Sequence, residues 1–207
     1  MKAYPSISHH VETLLPIVAF DKLDGSNVRA EWSAKRGWYK FGTRHRVIDN
    51  ADPLLSRVPE LIIDKYGERL GRALKDTGYP SAVCFFEFWG PSSFAGNHDL
   101  NETQTVTLFD IAPFNQGILE PERYLSLVDR YEIDHARVLY VGTCATDFID
   151  SVRNSALTGM TFEGVVCKSR SDKRTKLPVM FKQKSQAWLD KLKIRCGDDA
   201  DLFASLI

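Results

Sequence analysis

The sequence predicts an α+β fold built from antiparallel sheets, and three observations favour it. Segments with strand character and segments with helix character follow each other irregularly, without the regular strand–helix–strand order of a parallel sheet. Residues 27–33 and 37–42 have strand character and flank Arg36-Gly37, which is typical of an antiparallel hairpin. The chain has no GxGxxG sequence, so it lacks the fingerprint of a dinucleotide-binding fold.

The elements after the hairpin are predicted from helix-start and helix-breaking residues and from the spacing of apolar residues. Asp52 followed by Pro53 is a helix-start signal, and apolar residues at helical spacing come after it. We expect Pro59 to split this stretch into two helices, because proline removes a helical hydrogen bond. Residues 82–89 are nearly all apolar and predict a buried strand with a single carboxylate, whereas residues 104–111 alternate as a second strand.

The second half of the chain continues this alternation of helix and strand. We expect a helix from Pro121 to about residue 130, a strand at 137–141, a helix at 146–157, strands at 162–168 and 178–184, and a helix beginning near Ser185.

Composition limits the class of protein. The content of 43% hydrophobic and 11% aromatic residues is ordinary for a globular chain of 207 residues. No apolar run approaches the roughly 20 residues that span a bilayer. The N-terminal stretch is interrupted by Pro5, Glu12 and Pro16, so we expect no secretion signal and a cytoplasmic protein. The four cysteines form no CxxC pair, which predicts reduced packing residues rather than disulfides or zinc ligands.

The charges are unevenly distributed although the formal net charge is zero. Ten lysines and arginines lie between Lys168 and Arg195, where only Asp172 and Asp190 oppose them. This basic segment is either a solvated face or a surface that binds phosphate groups. The order of residues alone does not decide between these interpretations.

Charged residues also interrupt strands that are otherwise apolar. They are Lys22, Glu87, Asp110, Glu163, Lys182 and Lys184. An unpaired buried charge is costly, so a single case is best explained by an exposed edge. Six cases on five strands instead predict a groove in which carboxylates and ammonium groups surround a charged ligand. A polyanionic ligand with magnesium suits that mixture.

Lys22 is the candidate nucleophile within this set. It ends an apolar strand and stands between Asp21 and Asp24. A lysine with the usual pKa of about 10.4 is protonated at neutral pH, but desolvation and neighbouring cations lower the pKa and free the amine. Such an amine either forms a Schiff base or attacks phosphorus. Gly25 favours phosphorus, because glycine lets the backbone approach a ligand closely.

Six segments in order resemble the motifs of the covalent nucleotidyltransferases, which are ATP-dependent DNA ligases, RNA ligases and mRNA capping enzymes. The segments are DKLDGSN, KFGTRHRV, FFEFWG, TLFDI, FEGVVCK and VMFKQK. Together they run from Asp21 to Lys184. GSN, FEFWG and FKQKSQAW are most similar to RNA ligases of the phage nick-sealing type. Two departures are Asp21, where many of these ligases have glutamate, and Asp24, where the best-known phage type has histidine.

The resemblance implies an adenylation domain whose nucleotide lies in a groove between antiparallel sheets flanked by helices. It implies that Lys22 attacks the α-phosphate of ATP and forms lysyl-AMP with release of pyrophosphate. Lys182 and Lys184 alternate along one strand, so both would face that phosphate and neutralise it. The remaining implied contacts are Arg44 (in preference to Arg46) with phosphate, Glu87 with the ribose hydroxyls, Phe109 with adenine, Glu163 with Mg²⁺ or Mn²⁺, Asn27 with a metal-bound water or the substrate end, and Asp21 with the nucleotide.

Each of these residues also has a structural explanation when taken alone. Phe109 alone is typical of a core aromatic, and Arg44 of a surface hairpin. We expect Asp110 to be structural, paired with backbone or a basic neighbour, and His45 and His98 to be hydrogen-bonded loop residues. Only the ordered set of motifs favours a catalytic site.

The resemblance further implies the reaction. AMP passes to a 5′-phosphate, and a 3′-hydroxyl then attacks that end, so RNA with these ends, a nicked duplex above all, is the expected partner in RNA repair. About twenty residues follow Lys184, which predicts one minimal adenylation domain over 1–207 without an OB-fold, and a separate protein could supply substrate recognition. The alternatives are a DNA ligase or guanylyltransferase using the same lysine, or a non-catalytic nucleotide-binding relative.

Overall fold

A computed structural model describes residues 3–9, 14–49, 51–172 and 178–207. The described residues form eight strands and five helices, which confirms the predicted α+β class. The strands are β1 (Pro16–Lys22), β2 (Ser26–Ser33), β3 (Gly37–Thr43), β4 (Ser81–Trp89), β5 (Thr105–Pro113), β6 (Val138–Thr143), β7 (Gly164–Ser171) and β8 (Pro178–Lys184). The helices are α1 (Val58–Asp76), α2 (Pro121–Arg130), α3 (Thr146–Arg153), α4 (Gln186–Cys196) and α5 (Ala200–Leu206).

The strands form two antiparallel four-stranded sheets, in the orders β6-β1-β7-β8 and β3-β2-β4-β5. Lys22 ends β1 in the first sheet, and Ser26 begins β2 in the second sheet. The chain therefore crosses between the sheets within the DKLDGSN segment. This crossing places the candidate nucleophile at the junction of the two sheets.

The largest core cluster lies between the second sheet and α1. Ile62, Tyr66, Leu70 and Leu74 recur at four-residue intervals, so they share one face of the helix and are all buried. This face contacts the apolar side of the second sheet, where Phe86 is completely buried. The opposite side of that sheet is left to line the space between the sheets.

The prediction that Pro59 splits a helix is wrong. A single helix runs from Val58 to Asp76 with the proline in its first turn. The first backbone N–H groups of a helix have no intrahelical acceptor, so a proline is tolerated there. The Asp52 side chain does bind the backbone of the residues that follow it, since its Oδ1 accepts hydrogen bonds from the N–H groups of Leu54 and Leu55. The residues after it form turns rather than a first helix.

The helix predicted at 146–157 is shorter than expected and ends at Arg153. Ser155 has φ of 56°, a left-handed conformation that an α-helix cannot contain. The other predicted boundaries agree within a few residues. The strand predicted at 162–168 shows the largest such shift, because it starts at Gly164 and continues to Ser171.

Two expectations from composition can be compared with the structure. Cys84, Cys144, Cys167 and Cys196 are all free and buried, as predicted for packing residues. Within the described part of the chain, no helix has both the length and the apolar character needed to cross a bilayer.

Candidate active site

A cavity of about 270 Å³ opens between the two sheets, and we call it the main cavity. It brings together seven of the predicted site residues, although strands far apart in sequence supply them. These seven lining residues are Asp21, Lys22, Asn27, Arg44, Glu87, Phe109 and Lys182. The other two predicted residues, Glu163 and Lys184, join the set through ion pairs with Lys22 and with each other.

Glu163 bridges two lysines at the edge of the main cavity. Its Oε2 lies 2.8 Å from Lys22 Nζ, and its Oε1 lies 2.9 Å from Lys184 Nζ. Strand register explains the bridge, since Gly164 pairs with Lys22 on one side and with Lys184 on the other. A Cβ atom on Gly164 would lie 2.1 Å from the carbonyl oxygen of Gln183, so this close three-strand junction requires glycine.

The expectation that Lys22 has a lowered pKa is wrong for the protein without ligand. Burial of Lys22 lowers its pKa, but the carboxylates of Glu163 and Glu87 and the hydrogen bond from Lys22 to Glu163 together outweigh burial. The net effect is a raised pKa, which keeps the amine protonated. In the protein without ligand, Lys22 is therefore an ammonium ion that pairs with Glu163.

The pKa is instead lowered at the two lysines of β8, most clearly at Lys182. Burial, followed by repulsion from Lys184 and Lys22, lowers its pKa to about 8. The pKa of Lys184 is also lowered, mainly by burial, although its ion pair with Glu163 opposes this. Three lysines close together with one bridging glutamate leave an excess of positive charge, which an anion such as a phosphate would neutralise.

Helix α5 lies against the same two lysines of β8. Lys182 Nζ donates to the backbone carbonyl of Ile207 at 2.6 Å, and Lys184 Nζ donates to that of Leu206 at 3.2 Å. Lys184 Nζ also lies 3.4 Å from the centroid of the Trp188 ring. Carbonyl oxygens from the end of α5 thus occupy donors that the sequence analysis assigned to phosphate.

Glu87 and Asn27 face each other across β2 and β4. Burial raises the pKa of Glu87 to about 8, because the pull of Lys22 toward lower values is smaller and Glu163 adds repulsion. The Oδ1 atom of Asn27 is buried without a hydrogen-bond partner among the described residues. An unsatisfied buried acceptor beside a carboxyl group can be satisfied by ligand hydroxyls or by a hydrated cation.

Phe109 is both a core aromatic and a wall of the main cavity. Its ring makes an edge contact with Tyr4, with centroids 5.0 Å apart, and stacks on Phe85 at 6.4 Å. These contacts fix the orientation of the ring while one face remains at the cavity. A fixed aromatic face of this kind can stack on a planar heterocycle.

Asp110 has the structural role that the sequence predicts. Its buried carboxylate Oδ2 accepts hydrogen bonds from Tyr4 at 2.5 Å and from Lys168 at 2.7 Å. Lys168 is consequently buried and does not belong to a solvated basic face. The sequence signal for Lys168 was present, since it is a cation in the apolar strand VVCK, but its place in a basic run obscured it.

Asp21 and Arg44 line the main cavity but already have protein partners. Asp21 Oδ1 accepts from the N–H and hydroxyl of Thr161 at 3.0 Å each, and its Oδ2 pairs with Arg137 at 2.9 Å. The exposed Arg44 guanidinium donates to the carbonyls of Tyr4 and Pro5 at 3.4 and 3.2 Å. Both oxygens of the Asp21 carboxylate thus accept from protein donors, whereas the hydrogen bonds of Arg44 to described residues use Nη2 alone.

Two further residues of the DKLDGSN segment, Asp24 and Gly25, have structural roles in the fold. Asp24 accepts from Trp188 Nε1 at 2.6 Å and from the Ala95 N–H at 2.7 Å, so it ties α4 to the nucleophile segment. A Cβ on Gly25 would lie 2.3 Å from the Phe88 carbonyl oxygen. This close approach to β4 requires glycine, and Gly25 also lines the main cavity.

The N-terminal segment contributes residues that sequence reasoning missed. Tyr4, Pro5, Ser6 and Ile7 line the main cavity. The Ser8 carbonyl accepts a hydrogen bond from the Lys182 N–H at 2.9 Å, which adds the segment to the edge of the first sheet. No periodic pattern or motif marks these residues, so their position could be found only from the folded chain.

The predictions for the histidines and for the basic segment have different outcomes. His98 is a hydrogen-bonded loop residue, 2.8 Å from Ser26 Oγ and 2.9 Å from Ser93 Oγ, as predicted. His45 is exposed. In the basic segment, Arg170 pairs with Glu122, and the lysines and arginine of α4 are exposed. Lys173, Arg174 and Lys176 lie outside the described residues.

A divalent cation fits the site only together with a ligand that supplies oxygen atoms. No group of three or more histidine, cysteine, aspartate or glutamate residues within the described ranges could hold a metal alone. Magnesium commonly uses one or two carboxylates and completes its shell with phosphate oxygens and water. Glu163 and the unpartnered Asn27 Oδ1 supply protein oxygens of that kind.

Comparison with known proteins shows the family and the fold of the chain. The sequence matches the RNA ligase family over residues 15–184. An archaeal ATP-dependent RNA ligase has a similar structure, with a TM-score of 0.67 at 21% identity over 100% of this chain and 56% of that one. The Naegleria gruberi RNA ligase solved with ATP and Mn gives 0.60 at 18% identity over 86% and 52%.

The chain thus spans about half the length of the solved RNA ligases that it matches. At these identities the structural likeness establishes the fold alone. No curated protein matches the sequence. The family match nevertheless covers most of the chain and includes every strand, from the one that carries Lys22 to the one that ends at Lys184. On this evidence the chain belongs to the RNA ligase family.

Proposed function

We propose that this chain joins RNA ends in an ATP-dependent reaction that passes through lysyl-AMP at Lys22. The observation that carries the proposal is the ion-paired cluster in which Glu163 bridges Lys22 and Lys184 beside the main cavity. A nucleophile, a bridging carboxylate and two further cations are the groups that transfer of a nucleotidyl group requires. Membership of the RNA ligase family supports RNA as the substrate.

ATP would bind with its adenine against Phe109 and its ribose hydroxyls at Glu87 and Asn27. The unpartnered Oδ1 of Asn27 supports this position, because a ribose hydroxyl or bound water would satisfy it. Lys182 and Arg44 line the same cavity and would contact the phosphates. Guanidinium and ammonium groups together suit an anion of several charges.

The first chemical step forms a bond between Lys22 Nζ and the α-phosphorus and breaks the bond to pyrophosphate. Lys22 must first lose a proton, and Glu163 Oε2 at 2.8 Å is in position to accept it. Lys182 and Lys184 would balance the charge that develops on the phosphate oxygens. A divalent cation held by Glu163 and the ATP phosphates would add positive charge at the reacting centre when bound.

Two further steps would complete joining. An oxygen of an RNA 5′-phosphate attacks the phosphorus of lysyl-AMP, and Lys22 leaves as the amine. A 3′-hydroxyl then attacks the activated 5′-phosphate, and AMP leaves. The exposed cations of α4 support a polynucleotide, with a nicked RNA duplex as the proposed substrate and repair of broken RNA as the proposed role.

Intact-mass measurement after incubation with ATP and magnesium tests the proposal. We expect a covalent AMP adduct on the wild-type chain and none on Lys22→Ala, while Lys193→Ala keeps the adduct because Lys193 lies outside the site. Absence of any adduct on the wild-type chain would contradict the proposal. Parallel incubations with GTP, and with nicked RNA, DNA and hybrid duplexes, distinguish an RNA ligase from a guanylyltransferase or DNA ligase.

A further inference from the structure

A second cleft of about 390 Å³, which we call the side cleft, lies next to the main cavity. Its walls come from the DKLDGSN segment, the loop after β4, the residues before β7, and α4. Leu23, the residue that follows Lys22, lines both spaces. Leu23 therefore forms part of the wall of both spaces, and the side cleft lies beside the segment that carries Lys22.

Two aromatic side chains line the side cleft. Phe162 is 37% exposed although Glu163, which follows it, is almost completely buried. The Trp89 ring is only partly buried, and its Nε1 donates to Thr107 Oγ1 at 2.9 Å, which fixes its orientation. Partly exposed aromatic rings are suited to stack on nucleic-acid bases, which are flat and apolar on both faces.

A lysine on α4 adds positive charge to the aromatic wall. Lys191 Nζ lies 4.1 Å from the centroid of the Phe94 ring and 5.3 Å from that of Phe162. Among the described residues it forms no ion pair with a carboxylate. Arg195 holds α4 in place, since its Nη1 donates to the carbonyls of Phe94 and Ala95 at 2.9 and 3.3 Å.

The acidic group of the side cleft is already satisfied. Asp24 is the one carboxylate among the described lining residues, and both of its oxygens accept hydrogen bonds, from Trp188 and from Ala95. It therefore offers no free acceptor for a cationic ligand. An aromatic face, an unpaired ammonium group and a satisfied carboxylate favour an anionic ligand that carries a flat ring.

We propose that the side cleft binds the terminal nucleotide of an RNA end, with its base stacked on Phe162 and its phosphate at Lys191. The proposal rests on the proposed function, because it assigns the RNA end that reacts with the nucleotide on Lys22. The cleft makes and breaks no bond. Its volume lies at the lower end of the roughly 300–1,000 Å³ that is usual for small-ligand pockets, so it suits one nucleotide rather than a duplex.

Phe162→Ala and Lys191→Gln test the assignment step by step. We expect adduct formation on Lys22 to stay at the wild-type rate, while binding of a labelled 5′-phosphorylated RNA oligonucleotide, followed by fluorescence anisotropy, weakens roughly tenfold or more. Phe162→Trp should restore binding because it keeps a stacking face. Matched controls are Lys193→Gln on the same helix and Phe114→Ala, an aromatic that is 62% exposed and lies outside the cleft.

Two joining assays on these variants identify which RNA end the side cleft holds. If the variants lose AMP transfer to a 5′-phosphorylated strand, the cleft holds the 5′ end. If they keep AMP transfer but fail to seal a strand that is already adenylylated, the cleft holds the 3′-hydroxyl end. Wild-type RNA affinity in both variants would overturn the proposal. A fall in the rate of adduct formation as large as the fall in RNA affinity would also overturn it. Anisotropy measures binding and does not need catalysis. A wild-type chain that binds RNA through these residues but forms no adduct would therefore contradict the proposed function and still support RNA binding in the side cleft.

Discussion

At the scale of single residues, the pKa values around the main cavity differ from those that the sequence predicts. The proposed nucleophile Lys22 is held as an ammonium ion by Glu163, and the lysine with a pKa of about 8 is Lys182. Glu87 also has a pKa of about 8, because burial disfavours its charged form. Since these groups lie around one cavity, an ATP molecule that arrives with several negative charges would change all of their proton affinities.

The lowered pKa of Lys182 predicts how nucleotide affinity depends on pH. Below pH 8 Lys182 is already charged in the free protein, whereas above pH 8 it must take up a proton when a phosphate binds. We expect the Kd for an ATP analogue with an α,β-methylene bridge to be flat below pH 8 and to rise up to about tenfold per pH unit above it. Isothermal titration calorimetry measures this dependence.

Lys182→Arg is the control for that experiment, because a guanidinium group stays charged throughout the range. It should remove the rise in Kd above pH 8. A variant that keeps the full wild-type pH dependence would show that another group is responsible.

Glu87→Gln should stabilise the fold in a pH-dependent manner. The pKa of Glu87 is raised to about 8, so the folded chain loses stability as pH rises from the unfolded value of about 4.5 to about 8. Glutamine does not ionise and avoids this loss. At pH 8.5 we expect a higher Tm than wild type and a free energy of unfolding that is larger by on the order of 1 kcal/mol or more. At pH 5 both differences should be smaller.

Thermal unfolding at the two pH values checks this prediction, with Glu132→Gln as the control. Glu132 is a surface residue whose side chain is 85% exposed, so its replacement should change Tm equally at both pH values. A Glu87→Gln variant that is less stable than wild type at pH 8.5 would contradict the assignment of a burial cost to this carboxylate.

At the scale of elements, α5 is the feature that bears most directly on the site. The carbonyl groups at the end of a helix lack intrahelical donors and carry partial negative charge. The Leu206 carbonyl accepts a hydrogen bond from Lys184, and the main-chain oxygen of Ile207, the residue after the helix, accepts one from Lys182. Phe203, Leu206 and Ile207 anchor the helix on the cluster around Trp188 and Phe94. A nucleotide would have to compete with α5 for these two lysines.

Releasing α5 should therefore favour formation of the AMP adduct. We expect Phe203→Asp, which removes an apolar anchor of the helix, to lower the KM for ATP roughly fivefold, since one net hydrogen bond contributes about 1 kcal/mol. Leu202→Asp is the matched control, because Leu202 is 40% exposed and does not belong to the anchoring cluster. Initial rates of adduct formation at varied ATP give the KM, and an unchanged value in Phe203→Asp would refute competition.

At the scale of the whole molecule, a buried polar network joins the two sheets. Asp110 lies on β5 of the second sheet, Lys168 on β7 of the first sheet, and Tyr4 on the N-terminal segment. Both partners donate to the same carboxylate oxygen. Lys168 also donates to the Phe109 carbonyl at 3.0 Å. The network therefore fixes the spacing of the sheets on either side of the main cavity.

Asp110→Ala should destabilise the molecule by roughly 3–5 kcal/mol, because it leaves the Lys168 ammonium buried without a counter-ion. The double variant Asp110→Leu with Lys168→Met should recover most of this loss, since it removes both charges. Urea unfolding measures both variants. Asp134→Ala, which breaks the exposed pair with Lys65, is the control and should cost less than about 1 kcal/mol. A double variant as unstable as the single one would show that the network itself is required.

Much of the fold and most of the site residues could be predicted from neighbours along the chain. Alternation of apolar residues marked β2 and β8, and the proline at 121 marked the start of α2, because these signals act within a few residues. The prediction failed at Pro59 and Ser155, where the position of a residue within its turn decides its effect. The charged residues within apolar strands predicted the groove, because burying a charge is unfavourable unless other charges or a ligand in the same site compensate it.

The sequence by itself determined which residues come together around the main cavity and in what order the strands supply them. Only the tertiary structure decided the charge state of Lys22, the burial of Lys168, the tie from Asp24 to α4, the contact of α5 with the lysines of β8, and the presence of the side cleft. The reason is physical. Strand and helix formation depends on side chains a few residues apart, whereas pKa values, ion pairs and clefts depend on distances between elements that the chain brings together only when it folds.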